Sequence, residues 1–170
     1  VLDCSFETFA KFHHEIALRP DCTVFEGETC PNFSCINVSS CRLKTLDVDV
    51  YNRFLLADFL QQYRELETLV LWDAPEDCVQ VFNALEGSKL QKIVVYAKAM
   101  DPPMIASMCR LFETTDICDV TLEMFNTDIC NSLRARRRVR RLMLHECTVT
   151  SDDLILFLRG NAALRDLTFS

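Results

Sequence analysis

Glycine and proline are scarce in this chain, at 3 and 5 of 170 residues. A loop-rich sandwich needs more of both, and so does a disordered segment, so neither describes the chain. Histidine is equally rare, with only His13, His14 and His145. The first two are neighbours on a helical pattern and point in different directions, which makes them a poor ligand pair. No glycine-rich phosphate loop, no Gly-x-Ser-x-Gly and no His-Glu-x-x-His occurs. Cys147 lies near His145 in sequence, but it reads better as the buried turn residue of its unit than as a nucleophile. Carboxylate pairs such as Asp47/Asp49 recur as an acidic face would produce them, not as an acid–base dyad. The expectation is a non-enzyme with no cofactor and no metal. No apolar run approaches the roughly 18 residues of a membrane span. Basic charge is in deficit as well: 18 Lys and Arg against 25 Asp and Glu leave a net charge of -7. That balance disfavours nucleic acid and anionic membrane as partners of the whole chain. A small-molecule ligand is not expected either.

What the chain does have is a repeat. The pattern apolar-x-x-apolar-x-apolar occurs at Leu43/Leu46/Val48, Leu66/Leu69/Leu71, Leu90/Ile93/Val95, Ile117/Val120/Leu122, Val139/Leu142/Leu144 and Leu164/Leu167/Phe169. Successive copies are 23, 24, 27, 22 and 25 residues apart. A degenerate seventh copy is read at Cys22/Val24. Between the triplets the periodicity becomes helical: Phe54, Leu55, Phe59, Leu60, Tyr63; then Val79, Phe82, Leu85; then Ile105, Met108, Leu111, Phe112; then Leu154, Phe157, Leu158. Asp101-Pro102-Pro103 and Ser151-Asp152-Asp153 mark two helix starts. Each unit is therefore a short strand, a turn and a helix. A doubly wound parallel sheet needs about 30 residues or more per unit. The shorter spacing predicts an α/β leucine-rich-repeat solenoid, with a concave parallel sheet and helices on the convex side. Residues 1–42 are read as an N-terminal helix and a Cys-rich degenerate repeat or cap, and 43–170 as the repeats. The chain opens on Val1 and stops at the end of a strand, so it is expected to be a piece of a longer solenoid.

Side chains alternate along a strand, so the residues between and just after the triplet positions face outward. Val70, Trp72, Val94 and Tyr96 fall on adjacent strands and form an apolar, aromatic patch flanked by Asp47, Asp49, Asp119 and Glu123. Arg141, Met143 and His145 extend it. An aromatic centre with a charged rim is the composition of a protein-binding hot spot. The acidic flank predicts a protein partner of basic character. The alternative is that Trp72 and Tyr96 fold over the sheet edge or cover each other, as surface aromatics often do.

Val139-x-x-Leu142-x-Leu144-x-x-Cys147-x-Val149-Thr150-x-Asp152-x-Leu154, followed by Leu158 and Leu164, resembles the cysteine-containing leucine-rich repeats of F-box proteins. Ribonuclease inhibitor repeats are similar, less closely. In that family the Cys turns the chain out of the strand and a Thr-Asp pair opens the helix. The match rests on this one repeat; neighbouring copies place Ala74, Lys98 and Phe125 at the Cys147 position. The resemblance implies protein recognition, and by extension substrate selection for a ubiquitin ligase or inhibition of an enzyme by wrapping it. No F-box-like segment precedes the repeats.

Two features cut across this reading. Arg134-x-Arg136-Arg137-Arg138-x-Arg140-Arg141 is a local exception to the acidic balance. It suggests a nucleic-acid-binding module, but no aromatics are interleaved, and a solvated loop pairing with neighbouring acids is preferred. Cys30, Cys35 and Cys41 cluster with Cys22 just upstream, and Asn32-Phe33-Ser34 and Asn37-Val38-Ser39 fit the glycosylation triplet. These point to a secreted recognition protein with a disulfide-capped N-terminus. Cys78, Cys109 and Cys130, set among apolar helical neighbours, point to reduced thiols. The chain is read as cytoplasmic, with the secreted form as the alternative.

Overall fold

A computed structural model describes residues 24–27, 42–49, 53–75 and 78–169. Seven parallel strands form one sheet in chain order: β1 (Val24–Gly27), β2 (Thr45–Asp49), β3 (Thr68–Trp72), β4 (Lys92–Val95), β5 (Asp119–Phe125), β6 (Arg141–Cys147) and β7 (Asp166–Phe169). From β2 onward the helices alternate with them: α1 (Arg53–Gln62), α2 (Val79–Ala84), α3 (Pro102–Thr114), α4 (Thr127–Arg136) and α5 (Ser151–Gly160). Each strand pairs with the next in sequence, and each helix packs on the next, so the chain is an α/β protein built by lateral addition.

The triplets set this register. Leu46, Leu69, Ile93, Val120, Leu142 and Leu167 are cross-strand partners in one row. Val48, Leu71, Val95, Leu122, Leu144 and Phe169 make the next row. From β2 to β6 both rows are buried under the helices. At β7 the core opens: Leu164 and Leu167 are half-buried and Phe169 is 52% exposed.

A second regularity lies at the N-terminal edge of the sheet. One carbonyl per unit accepts two successive amides of the following unit, at 2.7–3.1 Å: Lys44 from Glu67 and Thr68, Glu67 from Gln91 and Lys92, and so on through Gln91, Cys118 and Arg140. Backbone groups entering a strand are thereby satisfied without a turn of special chemistry, which explains how the fold manages with so little glycine. Asp73 and Arg137 take positive φ, and so does Gly87. Its φ of +69° closes the turn after α2, where a side chain would be strained.

Helix starts follow the local sequence. Asp101 caps α3 by accepting from the Met104 amide at 2.8 Å, with Pro102 and Pro103 in the first turn where no amide partner is lost. Asn126 caps α4 through the Ile129 amide at 3.0 Å. Thr150, not Ser151, caps α5, accepting from the Asp153 amide. Helix α4 is absent from the periodicity because it buries only Ile129, Cys130, Ser132 and Leu133, a narrow and half-polar stripe.

Three sequence expectations are corrected. The degenerate first strand pairs Phe25 with Leu46 and Gly27 with Val48, so Cys22/Val24 do not hold the triplet positions; Cys22 itself lies outside the described residues. Cys147 is exposed rather than a buried turn residue. Its counterpart Phe125, the β5 partner of Cys147, is buried against Phe157, with ring centroids 6.3 Å apart. The arginine run is not one loop: Arg134 and Arg136 close α4, Arg141 opens β6, and only Arg137, Arg138 and Arg140 lie between. The N-terminal Cys cluster and both glycosylation triplets lie outside the described residues.

Candidate open-face recognition site

With the triplets turned toward the helices, the alternate residues of each strand form three rows on the other face. Thr45, Thr68, Lys92, Asp119, Arg141 and Asp166 make the first. Asp47, Val70, Val94, Thr121, Met143 and Thr168 make the second. Asp49 pairs with Trp72 in the third. Tyr96 continues that row, one residue past the Val95↔Leu122 pair, and its amide donates to the Leu71 carbonyl at 2.9 Å. Glu123 and His145 complete it, between the paired Leu122↔Leu144 and Met124↔Glu146.

The aromatic side chains of the third row are in contact. Trp72 and Tyr96 stack with ring centroids 4.2 Å apart and planes 8° from parallel. Tyr96 meets His145 at 5.5 Å and 57°, reaching across β5 above Glu123. The indole Nε1 of Trp72 donates to Asp47 Oδ1 at 2.7 Å, which fixes the ring from the β2 side. Stacking contributes on the order of 0.5–1.5 kcal/mol beyond burial. The stack thus forms as the alternative reading has it, but it does not hide the indole: Trp72 remains 42% exposed. The result is a rigid aromatic ledge, anchored at one end by a carboxylate and at the other by an imidazole.

Beneath the ledge the second row grades from covered to open. Val94 is only 8% exposed between Val70 and Thr121, so it is floor rather than contact surface; Val70 is half-buried and Met143 exposed. The acidic flank is heterogeneous. Asp119 lies 3.6 Å from Arg141, whose Nε donates to Asp166 at 3.1 Å, so that acid is committed to its own face. Asp47 holds Trp72. Glu123 is half-buried and forms no ion pair among the described residues. For Asp49 only its backbone place opposite Trp72 is described.

Half of the arginine run is engaged by the chain's own groups. Arg136 Nε donates to the Phe112 carbonyl at 3.0 Å, Arg138 pairs with Asp116, and Arg141 bridges two aspartates. Arg137 adopts the left-handed conformation that ends α4.

One feature has no signal in the repeat. A cleft of about 110 Å³ opens at the C-terminal ends of β5 and β6. Met100, Ile105, Met124, Phe125 and Ile129 line it, with Asn126, Glu146 and Thr148. It draws on three successive units, so no single window of sequence contains it. Periodicity points only to residues that fill the core, and Met100, Met124 and Glu146 lie off those rows.

Among the described residues, no group of three or more His, Cys, Asp or Glu is placed to hold a metal ion, and no helix is long and apolar enough to cross a membrane. No family model matches the chain, and no curated protein matches it.

Proposed function

We propose that this chain is a leucine-rich-repeat solenoid that recognises another protein on the open face of its sheet, as an adaptor or substrate receptor. The strand-to-strand spacing of 22–27 residues, the in-order parallel sheet and the unit-to-unit carbonyl ladder support the solenoid. The observation that carries the recognition reading is the Trp72–Tyr96 stack. It combines two pre-ordered aromatics, one of them 42% exposed, with Met143 exposed two strands further along the same face. Side chains already locked in place lose little entropy on binding, which is what makes aromatic anchors effective. The partner presents basic or cation–π-capable groups, matching the exposed indole and the uncommitted Glu123.

The engagement of Arg136, Arg138 and Arg141 by this chain's own groups favours protein over nucleic acid as partner. The burial of Cys130 among the apolar residues of α4 supports the cytoplasmic reading, since reduced thiols are usually found in such a setting. The test is affinity capture from the source with the parent chain and with Trp72→Ala/Tyr96→Ala, the fold of both checked by circular dichroism. Partners retained by the parent and lost by the variant are expected. Equal retention by both would reject the open face as the site.

A further inference from the structure

The sheet is electrically polarised along its strands. At its N-terminal edge, bases meet acids in a cross-unit lattice: Lys44 with Glu67, Lys89 with Glu65, Arg110 with Glu86, Arg138 with Asp116. At the C-terminal edge acids outnumber bases: of the cations there, Arg53 opens α1, and Lys98 reaches Asp73 at 3.7 Å across two exposed side chains. Asp101, Asp128, Asp152 and Asp153 at that edge have a local explanation, since they stand at the starts of α3, α4 and α5. Glu123 and Glu146 have none. Both lie on strands, and neither forms an ion pair among the described residues.

Only Glu146 belongs to the cleft wall; Glu123 stands beside it on the open side of the sheet, one residue before Met124 of the wall. The same two strand ends join the cleft to the aromatic ledge: Glu123 and His145 face the open side, while the next residues, Met124 and Glu146, line the cleft. One residue rise of about 3.3 Å separates the two sets along the strand. The volume of about 110 Å³ suits one aliphatic side chain, and the methionines in its wall adapt readily to shape.

We infer that the C-terminal edge of the sheet binds an extended basic segment of the partner that seats one aliphatic side chain in this cleft, between cationic residues that meet Glu123 and Glu146. The inference rests on the open-face reading and adds the chemistry that the edge selects. Apolar burial supplies affinity, and the two carboxylates supply sign selection and salt dependence.

The test uses the full chain with methyl-labelled Met and Ile, titrated with a synthetic peptide, Gly-Ser-Arg-Leu-Arg-Ser-Gly, in parallel with its Leu→Gly and Arg→Glu counterparts. Shifts at the Met100, Ile105, Met124 and Ile129 methyls are expected with the parent peptide. The Leu→Gly peptide should bind about tenfold or more weakly, as the loss of one buried aliphatic side chain implies. The Arg→Glu peptide should not bind, and Glu123→Lys/Glu146→Lys in the chain should weaken the parent peptide severalfold. Equal binding of the parent and Leu→Gly peptides would overturn the inference, because the attraction would then be diffuse charge. So would absence of cleft-methyl shifts. If Trp72 fluorescence nonetheless responds to the peptide, the ledge is a contact surface and the open-face reading survives; if it does not, the cleft inference alone has failed, and the Trp72→Ala/Tyr96→Ala capture decides the other.

Discussion

At the scale of single residues, the most informative side chains are those whose neighbours fix them. Trp72 is held by Asp47 on one side and Tyr96 on the other. Asp47→Ala removes the acceptor and leaves the stack, so the indole should gain mobility without loss of fold. A fall in Trp72 fluorescence anisotropy, with an unchanged urea midpoint, is the expected result. Cys130 gives a pH test. Burial, reinforced by Asp153, pushes its thiol up to about 11 from an ordinary value near 9. The folded chain therefore keeps a proton that the unfolded chain releases, and this group should lower stability as pH rises from about 9 to about 11. Cys130→Ser should flatten that part of the urea-midpoint profile. At pH 8, iodoacetamide should label exposed Cys147 well before buried Cys130, as peptide mapping would report.

At the scale of elements, each helix is held to the sheet by few side chains, and the ends are set by caps. Phe157 is the one fully buried residue of α5 and packs edge-on against Phe125. Phe157→Ala should cost about 3–5 kcal/mol, seen as a large drop in urea midpoint. Asp101→Ala and Asn126→Ala should each cost about 1 kcal/mol, through loss of the amide partners of α3 and α4. These elements also show what the sequence makes legible. Strands β2 to β7 sit where the triplets place them, because apolar positions shared by every unit produce a signal that accumulates. Helix α4 escapes that signal, since Ser132 and the arginines replace apolar residues on its surface. Val94 reads as surface from alternation alone, yet its cross-strand neighbours cover it. Contacts between rings, as between Tyr96 and His145, depend on side chains reaching over an intervening strand, and alternation says nothing of that. The cleft is further from view, because its wall is assembled from units about two dozen residues apart.

At the scale of the molecule, lateral addition of units explains both the economy of turn residues and the division of surfaces. At the N-terminal edge bases pair with acids across units, but these pairs are exposed and individually worth little, so they do not hold the fold, and Arg137, Arg140 and Arg165 form no ion pair among the described residues. On the C-terminal edge and the open face, Glu123 and Glu146 stand outside such pairs among the described residues, beside the partly exposed Trp72–Tyr96 stack. The central claim, that recognition happens there, is tested most directly by site-specific photo-crosslinking. A benzophenone side chain at Met143, on the open face, is compared with one at Gln61, exposed on α1. A cross-linked protein band from position 143, absent from position 61 and lost in the Trp72→Ala/Tyr96→Ala background, is the predicted result. A band from position 61 with none from position 143 would contradict the account.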